Sequence, residues 1–275
     1  MEDLTAKESL THPQNAWLFD VDGVITNPLE KAVTEPEIIP EIIKRLRANE
    51  PVSLVSGRAL PWLLRTVVAK IEEQVQDRKL LDNLFVSAEF GGIAIYYQNG
   101  EQIKEVDEDV SLPHELIARA SDIVINNYSN VAFVDPEKVT HFTAEMVKGV
   151  PMEDFKAGQA EFSAKFRDLV EEFGVDDDTE VHNDRIATNI KNRKLNKHLA
   201  VQKVLEWLNR NGSSPQIFHV FGDSHSDLEM GRELHDQGKN LRFIFVGEEY
   251  PGDQPFEVIH QGNVDKGTLE YLQGH

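Results

Sequence analysis

The sequence predicts an α/β protein: a doubly wound, mostly parallel, Rossmann-like sheet interrupted by an inserted α+β domain. Three observations carry that expectation. Short apolar runs alternate with helical patterns toward both ends of the chain. The middle switches to paired strands and long amphipathic helices. Several apolar runs stop abruptly on a polar or acidic residue, as strands do at the ligand edge of an open parallel sheet.

In chain order, AWLF (Ala16 to Phe19) reads as a buried strand ending at Asp20. A helix follows, with Thr34 as N-cap, Pro36 at a tolerated first position, and Ile39, Ile42, Ile43 and Leu46 on one face. VSLV (Val52 to Val55) is a second strand, succeeded by a helix opening near Pro61, and FVS near Phe85 is a third strand. IAIYY (Ile93 to Tyr97) leads into Asn99-Gly100, a hairpin signal. The middle then runs helix (112–127), strand (131–134), strand (140–147), helix and strand (186–190). In its second helix Phe155, Phe162, Phe166, Leu169, Val170 and Phe173 share a face. Near the other end, Asn196 caps a helix with Val201, Val204, Leu205 and Leu208 on one side and Gly212 at its close. IFHVF (Ile217 to Phe221) and FIFV (Phe243 to Val246) are further core strands. The expected organisation is a discontinuous core, residues 1–107 and 192–275, with the insertion at 108–191.

Composition narrows the chemistry. With 275 residues the chain is long enough to bury about three-quarters of its unfolded surface. It has no cysteine, which removes disulfide scaffolds, zinc fingers, iron–sulfur centres and thiol catalysis. Twenty-eight basic against 48 acidic residues give a net charge of −20, which repels nucleic acid and anionic lipid. The densest basic stretch, Lys191 to Lys197, is too short to reverse this. No run reaches the roughly 18 apolar residues of a membrane span. The polar start, residues 1–14, is unlike a signal peptide. A soluble cytoplasmic protein with neither a nucleic-acid nor a membrane partner is expected, and an anionic ligand would need locally supplied positive charge.

Asp20, Ser56 and Asp223 each end a strand, and Asp22 and Asp227 lie two and four positions beyond the two aspartates. Two carboxylates about 4 Å apart repel by on the order of 4 kcal/mol at an effective dielectric near 20. A cluster of them calls for a cation or a shared proton. An oxygen-only donor set points to a hard ion, best Mg²⁺. Lys197 opens a helix, where its charge opposes the macrodipole by about 0.3–1 kcal/mol. A broken local rule of that kind marks function.

WLFDVDGVIT (Trp17 to Thr26), SGR (Ser56 to Arg58), Lys197 and FGDSHSDLEM (Phe221 to Met230) together resemble the four ordered motifs of the haloacid dehalogenase-like superfamily. The resemblance implies Asp20 as nucleophile, forming an aspartyl-phosphate, and Asp22 as general acid and then base. It implies Mg²⁺ held by the Asp20 carboxylate, the Asp22 carbonyl and Asp223, with Asp227 ordering a metal-bound water or the lysine. Lys197 would balance phosphate and carboxylates. Asp22 favours phosphoryl transfer over dehalogenation. Ser56 has two readings, a phosphoryl-oxygen ligand at a helix start or an ordinary helix cap, and Gly57 and Arg58 join it as substrate candidates. Arg58 reaches the crevice or pairs with a carboxylate; the sequence does not separate these. His225 reads as a rim residue.

The insertion falls between the serine and lysine motifs, which is similar to the type-2 capped branch with its sugar phosphatases and phosphomannomutases. AEFGG (Ala88 to Gly92) resembles the Glu-x-Gly turn of trehalose-phosphate phosphatases, although it also fits a plain turn. In such proteins the cap selects the leaving group, so Lys148, Arg185, Asn189 and Lys191 are its donor candidates. The expectation is a Mg²⁺-dependent phosphatase acting on a small phosphorylated metabolite, with a sugar phosphate favoured. A phosphomutase, a phosphonate or phospholipid hydrolase, and a non-catalytic binding protein are the alternatives.

Overall fold

The computed structural model describes residues 13–275; of the polar start read above, only Pro13 and Gln14 fall within it. Contacts divide the chain into two units, one of residues 1–105 with 196–275 and one of residues 106–195.

The first unit is built on an eight-stranded sheet. Its strands are β1 (Asn15–Phe19), β2 (Val52–Val55), β3 (Leu84–Ala88), β4 (Ile93–Gln98) and β5 (Glu101–Val106), followed later by three more. Those three are β10 (Ile217–Gly222), β11 (Leu241–Phe245) and β12 (Glu257–His260), and the spatial order is β12-β11-β10-β1-β2-β3-β4-β5. From β12 to β3 every pairing is parallel, and β3 to β4 is antiparallel. β1 is buried on both faces, as an unbroken apolar run requires. Ala16 and Leu18 join one core with Phe85, Val201, Trp207 and Phe243. On the other face Trp17 stacks on His219 and Phe19 on Phe221, their partners in register.

Helix α1 (Ile38–Arg47) buries Ile39, Ile42, Ile43 and Leu46 as patterned, but Thr34 does not cap it. The helix starts four residues later, after Glu37, because the Thr34 hydroxyl instead bonds Asp265. Pro40 sits in the first turn, where a missing N–H costs nothing. After β2 come a short α2 (Leu60–Leu63), a π-helical turn (Leu64–Val68) and α3 (Ala69–Gln74). The Asn99-Gly100 hairpin has both residues at positive φ, 55° and 80°.

In the second unit, α4 (His114–Asn127) and α5 (Met152–Glu172) share a core with a four-stranded sheet ordered β6-β7-β9-β8. Its strands are β6 (Ala132–Val134), β7 (Phe142–Met146), β8 (Thr179–Asn183) and β9 (Ala187–Asn192). Strand β8 was not expected. It is an edge strand in which only Thr179 is buried and only Val181 is apolar, so it carries almost no apolar alternation. Phe155, Phe162, Phe166, Leu169 and Val170 are buried as the helical pattern requires.

The chain returns to the first unit through α6 (Lys197–Arg210), and α7 (Leu228–Asp236) and α8 (Val264–Gly274) complete it. Beyond Val246 the sequence predicts neither β12 nor α8. Among the described residues, no helix is long and apolar enough to cross a membrane.

Candidate active site

The order of the sheet explains the meeting of the acidic residues. Connections run outward in opposite directions from β1 and β10, which lie side by side, so a crevice opens beyond their carboxyl ends. Asp20 follows β1 directly, its N–H bonded to Phe221 O of β10 at 3.0 Å. Asp223 follows β10. Past Asp20 the chain folds back at once: Val21 O accepts the N–H groups of Ile25 (3.0 Å) and Thr26 (2.9 Å). Val21, Val24 and Ile25 are buried, which pins this loop on the core. Gly23 is required there twice over, since its φ is +75° and a Cβ would come within 2.1 Å of an Asp223 carboxylate oxygen.

Asp20, Asp223 and Asp227 each present a carboxylate oxygen within 4.8 Å of the others. Lys197, the first residue of α6 and 5% exposed, ion-pairs with Asp20, donates to Val55 O (3.1 Å) and lies 3.2 Å from Asp227 Oδ1. The α6 start is fixed by Asn196, whose side chain accepts the Leu199 N–H at 3.0 Å. The second oxygen of Asp227 accepts from the Asp223 N–H (3.2 Å), the Ser224 N–H (3.0 Å) and the Ser224 hydroxyl (2.7 Å). That capping box, Ser224 to Asp227, makes Asp227 a rigid anchor of the loop.

The titration of these groups follows from burial and from each other. Burial lowers the charged form of Lys197, but Asp20 and Asp227 outweigh it and hold the ammonium protonated. Asp227 is pushed up by burial, yet Lys197 and the Ser224 donors bring it below the usual carboxylate range. Burial and its acidic neighbours raise Asp20 against the pull of Lys197. Asp223 is pushed up to about 7 by burial and the Asp227 charge. With all three carboxylates ionised the cluster would carry more negative charge than one lysine offsets, and the raised Asp20 and Asp223 reflect that cost. Hard oxygen donors with an uncompensated charge suit a divalent cation such as Mg²⁺, and Asp20 and Asp223 are the carboxylates that would hold it.

The Asp22 carboxylate stands apart from that trio. Arg58 grips it with two parallel bonds, Nε to Oδ2 and Nη2 to Oδ1, both 2.9 Å. The Arg58 guanidinium also lies over Trp62, 4.9 Å from the ring centroid. Ser56 is buried, but it neither begins nor caps a helix; its hydroxyl accepts the Arg58 N–H at 3.1 Å, and α2 opens only at Leu60. The Ser-x-Arg turn uses the hydroxyl locally, which corrects the expected helix-start geometry. Gly57 serves packing, because a Cβ there would come within 2.2 Å of the Phe90 ring. In AEFGG, Glu89, Phe90 and Gly91 all have positive φ (50°, 58° and 97°), and Glu89 is buried. His225 is exposed.

The four remaining candidates belong to the second unit. Lys148 and Arg185 are exposed outside its strands. Asn189 is engaged at both ends of its amide, accepting from Thr143 (2.8 Å) and donating to Asp184 (2.9 Å). Lys191 donates to Leu195 O at 3.0 Å and lies 3.4 Å from Glu180. Three partners went unseen in the sequence: Trp62 under Arg58, the Val55 carbonyl, and Ser224. The last had a legible signal, Ser-x-x-Asp ahead of a helix; the other two had none.

Known folds can now be set beside this geometry. No protein-family model matches the chain, and no curated protein matches it. Solved structures do. A haloacid dehalogenase-like hydrolase from Bacteroides thetaiotaomicron aligns at TM-score 0.64 and 14% identity, over 94% of this chain and 98% of its own. The fold is haloacid dehalogenase-like. The trehalose-6-phosphate phosphatase of Aspergillus fumigatus shares it at TM-score 0.57 and 16% identity, with 95% and 93% covered. The C-terminal domain of a Candida albicans trehalose synthase regulatory protein shares it at TM-score 0.57 and 11% identity, with 96% of each chain covered. The haloacid dehalogenase-like fold is thus found in a phosphatase and in a regulatory protein alike. What this chain does rests on its own residues.

Proposed function

We propose that the protein is a Mg²⁺-dependent phosphatase acting on a small phosphorylated metabolite, with a sugar phosphate as the favoured class. The observation that carries this is the buried Asp20–Lys197 pair, set among Asp223 and Asp227, with Asp22 two residues from the pair. A nucleophilic carboxylate, a fixed cation, hard metal donors and a second, more exposed carboxyl are the parts that phosphoryl transfer needs. The similarity to a trehalose-6-phosphate phosphatase supports the sugar-phosphate class.

In this reading an Asp20 oxygen attacks phosphorus, forming a P–O bond as the bond to the leaving alkoxide breaks. Asp22, released from Arg58 and protonated from solvent, gives that proton to the alkoxide. It then takes a proton from water, whose oxygen attacks the aspartyl-phosphate and returns Asp20 as inorganic phosphate departs. Lys197 holds Asp20 in place and offsets phosphoryl charge throughout. A Mg²⁺ held by Asp20 and Asp223 would supply neutralisation of the phosphoryl charge. We assign substrate choice to the second unit, with Lys148 and Arg185 as its free-standing donors and Asn189 and Lys191 beside each other on β9. Ser56, Gly57 and Arg58 form the turn proposed to border the phosphoryl group.

The test is phosphate release from a panel of sugar phosphates and other phosphometabolites, with Mg²⁺ and with EDTA. Turnover that needs Mg²⁺ and disappears in Asp20→Asn is expected, with at least a 10²-fold loss in Asp22→Asn. Equal turnover by Asp20→Asn would remove that residue as nucleophile.

A further inference from the structure

A second concavity lies at the opposite edge of the eight-stranded sheet. It has a volume of about 270 Å³ and lies at the amino ends of β2 and β3, whereas Asp20 and Asp223 follow the carboxyl ends of β1 and β10. Pro51, Tyr97, Trp207 and Leu208 line its buried part. Around them stand five side-chain amides, those of Asn49, Asn83, Gln98, Asn99 and Asn211. They come from four separate places in the chain: the turn after α1, the turn before β3, the hairpin tip and the end of α6.

Four of the five amides are exposed and Asn83 is half-buried, so all are open to a ligand. Among the described residues none of the five amides makes a side-chain hydrogen bond. The indole N–H of Trp207, a residue 2% exposed, also has no partner. That nitrogen is itself covered by protein atoms, so it belongs to the floor and is not a contact for a ligand. The carboxylate in the lining is already committed, since Asp82 accepts the N–H groups of Asn99 (3.0 Å) and Gly100 (2.8 Å) and so fixes the hairpin tip. No lysine or arginine lines the concavity.

That chemistry specifies its ligand. Each amide offers a donor and an acceptor side by side, which matches a pair of neighbouring hydroxyls. Tyr97 and Trp207, each 2% exposed, close its floor. With no cation and a net charge of −20, a phosphate is disfavoured. We propose that this concavity binds a neutral sugar of one or two rings, at a site separate from the Asp20 cluster. The inference stands on direct binding and does not depend on the phosphatase reading.

Calorimetric titration and ligand-observed NMR of the full chain with glucose, maltose and sucrose test it. Saturable binding of at least one sugar is expected, retained in Asp20→Asn. The pair Gln98→Ala and Asn211→Ala should weaken it by about tenfold or more. Both side chains are exposed, and circular dichroism checks that the doubly substituted protein is folded. No saturation at tens of millimolar would overturn the proposal. So would binding that ignores the Gln98/Asn211 pair, binding that vanishes with Asp20→Asn, or binding of nucleosides with none of sugars.

Discussion

Among the described residues, Asp223 has no lysine or arginine ion-paired to it, while Lys197 serves Asp20 and Asp227. Its proton is held to about pH 7 in the folded chain and leaves near pH 4 in the unfolded one. Over that interval the folded state binds more protons, so metal-free stability falls as pH rises from about 4 to about 7. Asp223→Asn should therefore stabilise the protein in EDTA at pH 8, by on the order of 1–2 kcal/mol after discounting for partial exposure. The same change should abolish stabilisation by Mg²⁺. Urea denaturation with and without metal checks both, and a less stable variant in EDTA would refute the repulsion argument. The residue types and their order were legible in the sequence, but the Arg58 grip on Asp22 was not. Thirty-six positions separate those two residues, and only the parallel pairing of β1 with β2 brings their loops together.

Elements act here through their ends. Asn196 caps α6 and so sets the position of Lys197, one residue on. Asn196→Ala should cost about 1 kcal/mol of stability and lower kcat more than it raises KM, because the lysine loses its fixed approach to Asp20. Denaturation and kinetics on one preparation separate the two effects. Strand β10 and helix α8 meet through His219, whose Nδ1 lies 3.0 Å from the Tyr271 hydroxyl and whose Nε2 lies 3.2 Å from Asn15 Oδ1. The Asn15 amide nitrogen is committed to Glu50, so its oxygen accepts the Nε2 proton, and Nδ1 accepts from tyrosine. Burial, with Arg242, His275 and Arg45 nearby, lowers the imidazole to about 4. The unfolded chain takes up this proton near 6.5, so the stabilisation is complete above about pH 6.5 and is lost as pH falls toward 4. A loss on the order of 2–3 kcal/mol is expected, and His219→Gln should flatten that limb of the stability–pH curve. Strand β1 and helix α6 were readable as patterns, since each is amphipathic or uniformly apolar. Edge strand β8 was not, because its pairing with β9 supplies what its composition lacks.

At the scale of the molecule, each unit has its own hydrophobic core. Phe162 packs against Tyr128, Phe155 and Phe166 within the second. Phe162→Ala should cost that unit about 3–5 kcal/mol. Hydrogen exchange should then quicken across residues 106–195 and stay slow in β1 and β10; uniform quickening would show that the two units open as one. The sequence by itself determined the alternation of strands and helices, the position of the insertion and the residue types of the acidic site. These are local properties, written in periodicity, caps and strand ends. Only the tertiary structure decided which carboxylate meets the lysine, which is gripped by Arg58, why Gly23 cannot carry a side chain, and that five amides surround a single concavity. Each of those depends on strands far apart in the chain becoming neighbours, and sheet order is fixed by the packing of the whole chain.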